Sequence, residues 1–234
     1  MKLIQNLKPN LGIVSLVGCL FVASCGAAEP ATVIPAPQID NAKEKGELRT
    51  AIFSGGCFWG VQGVYEHVRG VKSALSGYAG GNRETAQYEQ VSTGATGHAE
   101  SVQITYDPSQ VSYGELLHIF FSVVHDPTQL NHQGFDTGTQ YRSAIFYTDE
   151  SQKKFAQAYI AQLNNVHVFG SGIVTVVQPS KGFYPAENYH QDYLFLHPEN
   201  PYIAHNDLPK IENLKRIFPQ YYRDQPVLIG SFGS

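Results

Sequence analysis

The sequence predicts an α+β domain in two layers, a ferredoxin-like split βαβ sandwich with long irregular loops and an extended C-terminal segment. Three observations predict it. Short apolar runs with strand periodicity alternate with helical patterns in the order βαββαβαβ, and glycine and proline stops separate them. Residues 48–234 are also of single-domain size, with enough aromatic residues to fill one core and no internal repeat or second linker.

The first strand is expected over about 49–53 and hands over through Ser54-Gly55-Gly56 to a helix that begins near Cys57. Phe58, Val61, Val64, Tyr65 and Val68 recur at helical spacing and give that helix one apolar face, which Gly70 ends. A strand over 71–78 follows, then a glycine-rich loop over 79–97. Next comes a strand in which Val102, Ile104 and Tyr106 alternate with Ser101, Gln103 and Thr105 until Asp107-Pro108 stops it. Ser112 and Glu115 form a capping box for a helix that runs to about residue 124, where Asp126-Pro127 ends it. After a long loop come a strand at 143–147, a helix at 150–164 and a strand at 172–177.

What precedes the domain is read as targeting rather than fold. Lys2 and Lys8 lead into an uncharged apolar run over 11–23 that is too short for a spanning helix, so residues 1–24 have the layout of a lipoprotein-type export signal. Val22-Ala23-Ser24-Cys25 resembles the bacterial lipobox, in which the cysteine becomes the lipidated first residue; a plain cleaved signal or an uncleaved anchor are the alternatives. Residues 25–47, with Pro30, Pro35 and Pro37, read as a membrane-proximal flexible and solvated linker. The expected location is therefore the periplasmic side of a bacterial envelope, with the domain tethered to the membrane through lipid on Cys25. A net charge of −4 and the absence of a basic run exclude nucleic acid as a partner.

Once Cys19 leaves with the signal and Cys25 is lipidated, Cys57 is the only free thiol, so the fold must stand without a disulfide. Cys57 lies between glycines and next but one to the only tryptophan, Trp59, and it is either an inert buried thiol or a nucleophile. Its place where a strand meets a helix N-terminus is expected to favour thiolate. Glu100 shares strand parity with Val102, Ile104 and Tyr106 and is expected on the face they bury. A carboxyl held there stays protonated, as a general acid must; the opposite parity leaves it solvated.

Five stretches in sequence, Gly-Cys-Phe-Trp-Gly at 56–60, Gly-Tyr-Ala-Gly-Gly at 77–81, Thr-Gly-His-Ala-Glu at 96–100, Gly-Thr-Gln-Tyr-Arg-Ser at 138–143 and Asn-Tyr-His-Gln at 188–191, together resemble the A-type peptide methionine sulfoxide reductases. The resemblance covers about 48–226 and implies thiol-dependent reduction of the S epimer of methionine sulfoxide, peptide-bound or free, in the repair of oxidised proteins. Cys57 would attack the sulfoxide sulfur and become a sulfenic acid, and Glu100 would protonate the departing oxygen. Tyr88 and Tyr141 would help to bind that oxygen. Phe58 and Trp59 would cradle the S-methyl group. Asp136 and His190 match residues the family keeps near the site, orienting tyrosines or substrate.

Many relatives carry further cysteines near the C-terminus that resolve the sulfenic acid, whereas no cysteine follows Cys57 here. An external thiol, either a thioredoxin-like protein or a small thiol, is expected to reduce it. No bound cofactor is expected, the histidine spacings match no familiar metal site, and a monomer is expected. The only methionine is Met1, so an exported mature form would hold none of the residue it repairs. Other readings are a different thiol enzyme acting on peroxide, or a module that binds oxidised methionine without turnover.

Overall fold

The computed structural model describes residues 31–232, so the lipidation expected at Cys25 and the signal over 1–24 lie outside the described residues. Strand β1 (Arg49–Ser54) turns through Gly55-Gly56-Cys57 into helix α1 (Phe58–Glu66). Gly56 sits at φ +86°, and a Cβ there would also lie 2.8 Å from the Gln133 side chain, so this turn requires glycine. Strand β2 (Val71–Ala79) is followed by the short helix α2 (Tyr88–Val91) and by β3 (Ala99–Tyr106). Helix α3 (Tyr113–Ile119) carries the expected capping box, and its last turn, Phe120–Val124, widens to π geometry.

Strand β4 (His132–Gln133) and β5 (Asp136–Thr137) make a small hairpin before β6 (Ala144–Tyr147). Helix α4 (Glu150–Asn165), capped by Asp149, leads to β7 (Val176–Pro179) and β8 (Phe183–Pro185). The C-terminal stretch then adds α5 (Tyr193–Leu196) and α6 (Leu208–Ile217).

The sheet order is β7-β6-β1-β3-β2-β8. Its inner four strands, β6-β1-β3-β2, are all antiparallel, with β3 inserted between β1 and β2, and this is the split βαβ plan. Strand β7 joins parallel to β6 and begins its pairing at Ala144 with Val176, which moves the last predicted strand from 172–177 to Val176–Pro179. The two-residue strands of the hairpin and the three-residue β8 were not predicted, because elements that short carry no alternation to read.

The main core lies between the helices and one face of the sheet, while Ile52, Ala79, Ala99, Ala144 and Phe146 form a small second core on the other. Helix α1 packs on β2 and β3 and is covered from outside by α5, α6 and the turn Ile203–Asp207, so it is buried nearly all round. The C-terminal segment is therefore extended in reach but helical in part, and it closes the core.

Residues 25–47 were expected to be solvated linker; 42–47 are exposed, but the described stretch up to Asp40 is docked. Ile34 is buried in the main core, and the Ile34 and Pro35 carbonyls pair with His118 and with the Tyr159 hydroxyl. Gln162 exchanges hydrogen bonds with Ala36 and Gln38, and Asp40 accepts from Ser112 and from the Gly114 N–H at the start of α3. Prolines hold this strap extended, so its backbone groups remain free to pair across to α3 and α4.

Candidate active site

Cys57 occupies the N-cap of α1, 8% exposed. The next residue, Phe58, donates its backbone N–H to Glu100 Oε2 at 3.0 Å, which brings the acid of β3 to the start of the helix. Glu100 is 3% exposed on the face shared with Val102, Ile104 and Tyr106, as strand parity predicts. Burial pushes its carboxyl up to about 8, with Asp136 and Asp207 adding to the shift and the Phe58 N–H opposing it. Glu100 is thus a protonated, hydrogen-bonded acid at neutral pH.

The expectation that the helix start favours thiolate is overturned. Burial pushes the Cys57 thiol well above its usual range, and the carboxyls of Glu100, Asp207 and Asp136 push the same way. The hydrogen bond from the Trp59 backbone N–H pulls down against them and loses. One helix turn offers a fraction of a charge, whereas desolvation and three carboxyls act on a buried sulfur. At rest the Cys57 sulfur is held as a thiol.

An aromatic group surrounds the pair. The Phe58 and Tyr88 rings lie 5.0 and 4.6 Å from that of His190. The Trp59 indole N–H donates to His190 Nδ1 at 3.2 Å, which leaves the proton of a neutral imidazole on Nε2, an atom with no partner among the described residues. Burial lowers the His190 pKa, so the ring stays neutral. Tyr193 stacks on Trp59 at 3.9 Å and Tyr202 meets it edge-on at 6.0 Å. Phe58 is 1% exposed and forms floor rather than wall; Trp59, partly exposed, presents the open surface.

The Tyr88 and Tyr141 hydroxyls take no hydrogen bond among the described residues, and both phenols are held protonated by burial first and by Glu100 next. They are donors without an acceptor, suited to a polar oxygen. Asp136, on the β4–β5 hairpin, accepts from the Tyr202 hydroxyl. A cleft opens at Cys57 between Gln133, Phe135, Asp136, Tyr202, Asn206 and Lys210.

All eight predicted residues thus gather at the start of α1. Tyr193, Tyr202, Asp207 and Lys210 were missed, since they lie more than 130 residues along the chain and no motif marks them. Asp207-Leu208-Pro209 reads as an ordinary helix start, yet the Asp207 side chain does not cap α6 and turns toward α1 instead. Among the described residues no group of histidine, cysteine and acidic side chains is arranged to hold a metal.

The family model described as peptide methionine sulfoxide reductase matches residues 49–222. The peptide methionine sulfoxide reductase MsrA 2 of Mesorhizobium japonicum is 61% identical over 180 residues, covering 77% of this chain and 92% of that protein. MsrA 2 of Synechocystis sp. is 48% identical over 215 residues, 92% of this chain and 98% of its own. Among solved structures, methionine sulfoxide reductase A of Corynebacterium diphtheriae is 32% identical with a TM-score of 0.57, covering 74% of this chain and 87% of that one. Reduced Mxr1 from Saccharomyces cerevisiae is 33% identical with a TM-score of 0.59, covering 68% and 91%.

Proposed function

This chain belongs to the peptide methionine sulfoxide reductase family and reduces the S epimer of methionine sulfoxide in protein repair, and from that premise we propose how its own residues divide the work. Cys57 attacks the sulfoxide sulfur. The Cys57 thiol and the sulfoxide become a cysteine sulfenic acid and methionine, so one oxygen passes between two sulfurs with no net uptake of protons. Glu100 lends its proton to that oxygen as the bond to methionine sulfur breaks, and the Tyr88 and Tyr141 hydroxyls hold it. Trp59 over Phe58 receives the S-methyl group. His190 fixes the Trp59 indole, and Asp136 with Tyr202 borders the cleft that the substrate enters.

The observation that carries this reading is the Phe58 N–H bond to Glu100, which ties a buried protonated acid to the residue after the thiol. The test is turnover of separate S and R epimers of blocked methionine sulfoxide by the full chain with dithiothreitol. S-only turnover, lost in Cys57→Ser and slowed in Glu100→Gln, supports the roles; S turnover that survives Cys57→Ser removes them.

The sulfenic acid is reduced by an external thiol, since no cysteine follows Cys57. A small thiol or a thioredoxin-like protein fills that part, and two thiols leave as a disulfide with one water. An intramolecular disulfide in the oxidised mature form would contradict it. The protein acts as a monomer on the periplasmic side of a bacterial envelope, tethered by lipid on Cys25, and mass spectrometry of the mature N-terminus decides this. Its catalytic unit begins by Thr32 rather than at 48, because the strap is fastened to α3 and α4 from there on. A fragment starting at 48 should melt well below one starting at 31.

A further inference from the structure

Phe135 is 78% exposed, more than any other large apolar side chain among the described residues, and it belongs to neither core. A lone exposed apolar residue is ordinary, but this one stands in the wall of the cleft that opens on Cys57. It occupies the tip of the β4–β5 hairpin, where Gly134 at φ +54° makes the turn and asks nothing apolar of the residue after it. The backbone beneath is fastened on both sides. The Gln133 side chain accepts the Asp126 N–H at 3.0 Å and donates to the Asp126 carbonyl at 2.6 Å, and it also lies against Gly56. The Gly134 N–H donates to Gln129 Oε1 at 2.8 Å, the Gly138 N–H donates to the Asn131 carbonyl at 2.9 Å, and Asp136 accepts from Tyr202. The hairpin thus holds Phe135 in a set place relative to the turn that carries Cys57.

We propose that Phe135 is a specificity residue for polypeptide substrates: its ring receives an apolar side chain next to the oxidised methionine while the sulfoxide lies at Cys57. The proposal rests on Cys57 attacking the sulfoxide sulfur. Cys57 is 8% exposed and shares its cleft with Phe135, so a substrate whose sulfur reaches Cys57 carries its backbone and neighbouring residues toward the open side, where the ring is bare. The side chains of Gln133, Asp136, Tyr202, Asn206 and Lys210 that line the rest of the cleft end in polar groups, so the Phe135 ring is the part of the wall that gains from an apolar cover. Methionine is mostly a core residue with apolar neighbours, and its oxidation loosens that packing, so the segments a repair enzyme meets carry such neighbours. One ring offers far less area than the roughly 800 Å² per partner of a stable protein interface, which favours a substrate side chain over the reductant as its occupant.

The test compares two blocked peptides, Gly-Leu-Met-Leu-Gly and Gly-Ser-Met-Ser-Gly, each with its methionine as the S-sulfoxide, turned over by the full chain with dithiothreitol. The parent should favour the leucine peptide about tenfold in kcat/KM, mainly through KM. Phe135→Ala should bring the two peptides within about twofold of each other, and Phe135→Leu should keep the preference. A parent indifferent to the flanking residue, or a preference that survives Phe135→Ala, overturns the proposal, while S-epimer turnover in the same assay leaves the enzymatic reading standing. Equal losses with both peptides in Phe135→Ala would mark a structural residue and overturn it too. Binding answers without turnover: in Cys57→Ser, fluorescence of Trp59, the only tryptophan, reports peptide affinity, and the ratio of Kd values should collapse when Phe135→Ala is added. An unchanged ratio together with slower reduction by thioredoxin would assign the ring to the reductant and overturn the proposal.

Discussion

The two ends of α1 each bury a carboxylic acid. At the first turn Glu100 is pushed up to about 8, mainly by burial, and at the last residue Glu66, fully buried, is pushed up to about 9 by burial and then by Asp192. Glu100 accepts an N–H from the residue after a thiol and borders open cleft. Glu66 has neither a nucleophile nor a cleft; the carboxyl beside it is that of Asp192, which is itself engaged with the Ile229 N–H, the Gly230 N–H and Gln62. A strongly perturbed acid is therefore no mark of a site by itself. What surrounds it decides whether its proton is delivered or merely retained.

The comparison breaks most visibly at the catalytic end. Cys57→Ser should abolish turnover of the S epimer while the fold, read by circular dichroism, is unchanged, because serine fits the space and cannot take the oxygen. Glu100→Gln should slow turnover by about 10² to 10⁴, whereas Glu66→Gln should leave the rate near the parent's. Equal losses in the two variants would mean that burial, rather than placement beside Cys57, governs the activity. In the parent the rate should also decline as pH rises through about 8, where Glu100 loses its proton, and this limb should vanish in Glu100→Gln.

The structural end answers in stability. The folded state holds the Glu66 proton up to about 9 against an ordinary 4.5, so stability should be highest below about 4.5 on this account and decline as pH rises through that window. Glu66→Gln keeps the shape without the titration and should flatten the slope of melting temperature against pH. The smallest effect is expected from Asp192→Asn. It weakens the hydrogen bonds to the tail by about 1 kcal/mol, and it should also narrow the Glu66 window by removing the neighbouring charge.

Much of the catalytic end was legible in the chain. Parity along β3 put Glu100 on the buried face, and the glycines before Cys57 announced a strand-to-helix turn; both depend on neighbours a few residues away. The protonation of Cys57 was not legible, because the groups that set it come from residues 100, 136 and 207 and from burial itself. The strap was misread for a related reason. Pro35 and Pro37 do hold the backbone extended, but whether an extended segment is solvated or docked depends on partners at 112–122 and 159–162.

The sequence by itself determined the order of the main strands and helices, the single cysteine after Cys25, and the family to which the motifs belong. Those are properties of composition, spacing and local periodicity. Only the tertiary structure decided that the Phe58 N–H binds Glu100, that Trp59 is held by His190 and Tyr193, and that Asp207 turns from its own helix to crowd Gly60. Electrostatics and desolvation act through space, and residues 150 positions apart in the chain become neighbours only when the core closes over α1.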